Sequence, residues 1–131
     1  MFLKNLNEEQ QVSFLAIAMK IIGADGRLDP AERRMIEAMR VEMGLFHEAK
    51  LPTGVIEELA KPFDTHRAQV TVLLEGILLA YADNDFSGAE QKILRALAII
   101  WGISEEEATE LENWVQEYNK ILKKAEQFFS K

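Results

Sequence analysis

Cysteine is absent from this 131-residue chain. That excludes disulfides and thiolate metal sites, and makes a reducing cytoplasm the expected compartment. Proline occurs three times, and no Pro/Gly/Ser-rich stretch interrupts the chain. A single domain over residues 1–131 is therefore expected. Long apolar runs are also missing. The most apolar segment, Val70 to Tyr81, spans twelve residues and contains Glu75. A bilayer needs about 20, so this segment reads as a buried core helix. The opening Met1-Phe2-Leu3-Lys4-Asn5 has no apolar stretch of signal-peptide length, and no lipidation motif is present. The expectation is a soluble protein, neither exported nor membrane-spanning.

Basic charge is in short supply. Fifteen Lys and Arg stand against 22 Asp and Glu, a net charge of −7. A phosphate backbone would be repelled, and the densest basic group (Arg33, Arg34 and Arg40) is interleaved with Glu32, Glu37 and Glu42. No nucleic-acid partner is expected. Catalytic signatures are missing as well: no nucleophile elbow, phosphate loop or zinc-protease motif occurs. His47 and His66 read as surface histidines. No residue is nominated as catalytic.

What is present is helical spacing throughout, without strand alternation. Asn7 with Gln10 makes a capping box for a helix to Ile22. Asp29, Pro30 and Glu32 open a second helix that runs to Met43, with Gly44 as its left-handed stop. A short helix is expected over Gly54–Ala60, ahead of Pro62. Another runs from Asp64 or Thr65 to Ala82. Ser87 with Glu90 opens a further helix ending before Gly102. Ser104 with Glu107 caps a closing helix, about 104–128, with Leu111, Trp114, Val115, Tyr118, Ile121, Leu122 and Ala125 spaced by threes and fours. Trp114 and Tyr118 read as core residues. Phe128-Phe129 are expected to lie beyond the bundle, in solvent or against a partner or a second copy.

Shifted by 58 residues, the chain matches itself. Ala24-Asp25 falls on Ala82-Asp83, Ala31-Glu32 on Ala89-Glu90, Ala38 on Ala96, and Gly44 on Gly102. Each copy reads as an apolar helix, an acidic loop, a capped helix and a terminal glycine. The expected fold is an all-α bundle with an internal pseudo-two-fold duplication. Its units are about 7–45 and 65–103, and the last helix closes it.

The acidic loops are the one place where chemistry could gather. They read Asp25-Gly-Arg-Leu-Asp29-Pro-Ala-Glu32 and Asp83-Asn-Asp85-Phe-Ser87-Gly-Ala-Glu90. Hard cations take carboxylate and carbonyl oxygens, and loops between helices can converge them. The second loop matches the first half of an EF-hand, but its twelfth position is Leu94 instead of glutamate. The alternative is purely structural. Glu32 and Glu90 close capping boxes, and Asp25 and Asp83 form turns.

Residues 22–32, with their echo from Ala80 to Glu90, resemble the tellurite-resistance TerB family and the related N-terminal domain of a membrane-anchored DnaJ-like co-chaperone. The resemblance spans about Asn7 to Tyr118. It implies an all-helical pseudo-symmetric fold, metal-binding carboxylates, and a role in bacterial stress responses through protein partners. Carried over, the candidate ligands are Asp25, Glu32, Asp83 and Glu90. The second loop departs from the pattern, with Asn84 for glycine and Asp85 as an added carboxylate. The leading expectation is a non-catalytic module taking a divalent cation, calcium or magnesium in preference to zinc. The rival is a metal-dependent enzyme using the same carboxylates in a cleft between the halves.

Overall fold

In the computed structural model, residues 1–23, 30–45, 51–81 and 88–130 are described. They form an all-α bundle, with no strand among them. A single 3-10 turn, Leu3–Asn5, precedes six helices: α1 (Glu8–Ile22), α2 (Pro30–Glu42), α3 (Ile56–Ala60), α4 (His66–Ala80), α5 (Gly88–Ile100) and α6 (Glu105–Phe129). No helix among the described residues is long and apolar enough to cross a membrane.

Local chemistry sets the helix starts. Gln10 N–H donates to Asn7 Oδ1 and Asn7 N–H to Gln10 Oε1, both at 2.9 Å, so the expected capping box opens α1. Thr65 accepts from Ala68 N–H to start α4, and Ser104 accepts from Glu107 N–H to start α6. Of the two candidate starts for α4, Thr65 is therefore the N-cap. The short helix begins two residues later than expected, at Ile56, because Gly54 lies at φ +138.

Helix bounds recur at the 58-residue shift. α1 and α4 are 15 residues each, and α2 and α5 are 13 each, with starts and ends at matching positions. Burial follows the same register. Phe14, Leu15 and Ile21 of α1 are buried, as are Val72, Leu73 and Leu79 of α4. Ile36 and Met39 of α2 correspond to Leu94 and Leu97 of α5 in the same way. These residues belong to one continuous core.

α3 is too short to hold itself, and its terminal carbonyls need outside donors. Ser13 Oγ donates to the Leu59 carbonyl at 2.6 Å, and Trp101 Nε1 donates to the Ala60 carbonyl at 3.2 Å. Gln10 Nε2 reaches the Pro62 carbonyl at 3.0 Å, and the Phe63 ring meets Trp101 edge-on. α1 and α5 thus clamp α3 from two sides.

α6, about 37 Å long, is the least embedded helix. Val115 is its one buried residue. Trp114 lies at the surface, 41% exposed, instead of in the core. Its ring packs between Phe2 and a stacked Tyr118, so the aromatic contact forms along the helix face and with the amino-terminal segment.

Candidate functional site

Of the five residues nominated as cation ligands, two are described. Glu32 and Glu90 each occupy the first turn of their helix, α2 and α5. Acids are favoured there by the helix dipole and ordinarily face water. These two do not: Glu32 is 4% exposed and Glu90 2%. A carboxylate in a core costs free energy unless it is hydrogen-bonded or charge-paired. Both residues do have interacting partners. Their carboxylate oxygens are the donor type that calcium and magnesium prefer. Asp25, Asp83 and Asp85 lie outside the described residues, as do Asp29 and Ser87, the caps expected from the sequence. Among the described residues, no three His, Asp or Glu side chains converge on one point.

A second acidic arrangement joins the amino-terminal segment to α2 and α4. Glu75, midway along α4, is 3% exposed and corresponds in register to the buried Ile17 of α1. The Met1 ammonium lies 2.9 Å from Glu75 Oε1 and 2.7 Å from Glu42 Oε1. Phe2 N–H donates to Glu75, and Leu3 N–H donates to Glu42 at 3.0 Å. The first turn of the chain is thereby fastened to α2 and α4. Burial pulls the ammonium pKa down, but the hydrogen bonds and charges of Glu42 and Glu75 outweigh it, and the net displacement is upward. One acid inside a twelve-residue apolar run was the available signal for Glu75.

A cleft of about 600 Å³ adjoins this cluster, lined by Met35, Met39, Leu78, Tyr118 and Leu122 among others. Its carboxylates, Glu42 and Glu75, already serve the amino-terminal segment. At the rim, Tyr81 Oη donates to Glu112 at 3.1 Å and accepts from Gln116. Burial raises the Tyr81 pKa most, Glu112 adds to it, and the Gln116 hydrogen bond opposes it. His66 is exposed and pairs with Glu107, consistent with a surface role. No family model, curated protein or solved structure matches this chain.

Proposed function

We propose that the chain is a non-catalytic, TerB-like helical module. In this reading it takes a divalent cation, calcium or magnesium in preference to zinc, at two acidic loops and acts through a protein partner in a bacterial stress response. The observation that carries the reading is the matched pair Glu32 and Glu90. Both are carboxylates withdrawn from water at the same position of helices whose bounds coincide under one shift. A solvated cap would not need that burial. Asp25 would join Glu32, and Asp83 with Asp85 would join Glu90, giving each half its own set of hard oxygen donors. The internal duplication is part of the same proposal, because two equivalent loops explain two equivalent buried acids.

Thermal unfolding at constant ionic strength tests it. A cation that binds only the folded state stabilises by about 2.7 kcal/mol when the free ion is a hundred times its dissociation constant. For a domain of this size that raises Tm by very roughly 5–15 °C. Calcium or magnesium should give this shift, and sodium chloride at matched ionic strength should not. Asp25→Asn with Asp83→Asn should remove the ion-specific part while keeping the turns. Wild-type protein with no ion-specific shift would return these residues to caps and turns.

A further inference from the structure

We infer that the apolar flank of α6, along the edge of the face packed on the bundle, is a self-association surface on which a second copy of this chain docks antiparallel. The apolar stripe of α6 outlasts the bundle that supports it. Val115 is the last buried residue, yet the helix continues to Phe129 with Ile121 64% and Phe128 78% exposed. A helix end with no packed face is marginal in water, so an apolar stripe carried to its tip calls for cover.

The spacing of the stripe says what kind of cover fits. Trp114, Tyr118, Ile121, Ala125 and Phe128 follow one another at intervals of four, three, four and three. That is the seam of a two-helix coiled coil, which takes a second helix of the same geometry. Laid antiparallel about a two-fold axis between Asn119 and Lys120, the seam is complementary to itself. Trp114 meets the small Ala125 of the other copy, and Tyr118 meets Ile121, each pairing occurring twice.

Charge selects the same partner and direction. The first half of α6 carries Glu105, Glu106, Glu107, Glu110, Glu112 and Glu117, while Lys120, Lys123 and Lys124 lie in the second half with a single acid, Glu126. Glu117 and Lys124 flank the seam at the same heptad position, and both are exposed. Antiparallel docking brings Glu117 of each copy to Lys124 of the other. Parallel docking would set each of these positions against an apolar residue of the other copy, Glu117 against Leu122 and Lys124 against Phe129, and would form no such ion pair. An anionic membrane would suit the lysines but would repel the six acids in the first half of the same helix.

Sedimentation equilibrium of the full chain across a range of concentrations is the first test. The wild type should be a reversible dimer. Ile121→Glu should raise the dissociation constant about tenfold or more. It should leave the helical circular dichroism of the monomer unchanged, because Ile121 is outside the core. Lys124→Glu should weaken association, and adding Glu117→Lys to the same chain should restore it. Because the chain has no cysteine, direction can be read by cross-linking. Glu117→Cys chains should join Lys124→Cys chains, and neither should join itself. A wild type that stays monomeric, one that is monomeric and sediments with anionic vesicles, or a dimer indifferent to Ile121→Glu would overturn the inference. Self-cross-linking of either cysteine variant would overturn the antiparallel arrangement.

Discussion

Gly44 and Gly102 end α2 and α5 with the same left-handed turn, at φ +73 and +67. In the first, Leu45 N–H donates to the Arg40 carbonyl and Gly44 N–H to Val41. In the second, Ile103 N–H donates to Ala98 and Gly102 N–H to Ile99. Both are Schellman closures, which satisfy carbonyls a helix end would leave open. A Cβ would meet nothing within 4 Å at either glycine, so the cost of substitution is one of backbone conformation alone. Gly44→Ala and Gly102→Ala should each lower stability by about 1–2 kcal/mol, read from urea midpoints. Equal losses at the two positions are expected.

Ser13→Ala should release α3. The Leu59 carbonyl would lose its 2.6 Å donor in a buried setting, a loss of about 1–3 kcal/mol. Amide exchange would check it: protection in α3 should fall further than protection in α4.

Gly76 lets α4 approach its neighbours closely. A Cβ there would stand 2.6 Å from Leu94 Cδ2 and 3.2 Å from Ile21 Cδ1. Leu94 is buried and must shift to admit a methyl group. Overpacking of this kind costs about 1–3 kcal/mol, against about 1 kcal/mol gained from helix propensity. Gly76→Ala should therefore be neutral to destabilising alone, and stabilising in a Leu94→Ala background where the space is open. A double-mutant cycle measures the coupling, and additivity would contradict the packing described.

Stability should decline on the alkaline side in two stages. The Met1 ammonium has a folded pKa above its usual 8.0. Its contribution is therefore complete below about pH 8 and is lost as pH rises through the folded value. Tyr81 is raised above 10.0, so the folded state favours the neutral phenol and loses ground at still higher pH. In a chain whose amino terminus is Met1, acetylation should remove the first stage of the melting profile, and Tyr81→Phe the second.

Features encoded within a few residues are legible in the sequence. Asn7 with Gln10, Ser104 with Glu107, and the glycine stops depend only on neighbours along the chain, and so did the helix register of the 58-residue shift. Contacts between distant segments were not legible. Nothing near Glu75 announces that its partner is Met1, and nothing near Ser13 points to Leu59. The spacing of Trp114 fits the buried stripe and predicts a core residue, which the structure does not bear out. Trp114 lies about 100° around the helix from the buried Val115 beside it, at the edge of the packed face, and spacing alone does not say where that edge falls. For the candidate site, residue type and the echo between the two loops single out the acids, and the burial of Glu32 and Glu90 adds what sequence does not supply. Asp25, Asp83 and Asp85 stand on the sequence alone.

The two tryptophans report on different parts of the molecule. Trp101 is held against Phe63 with its indole N–H on the Ala60 carbonyl, whereas Trp114 stands half in water on α6. Their fluorescence should therefore be separable. Trp114→Phe would leave a single emitter that changes colour when α3 comes away from α5. Trp101→Phe would leave one whose quenching and spectral position follow whatever covers the apolar flank of α6. Two single-tryptophan variants would thus show, in one titration, whether core loosening and surface occupation are separate events.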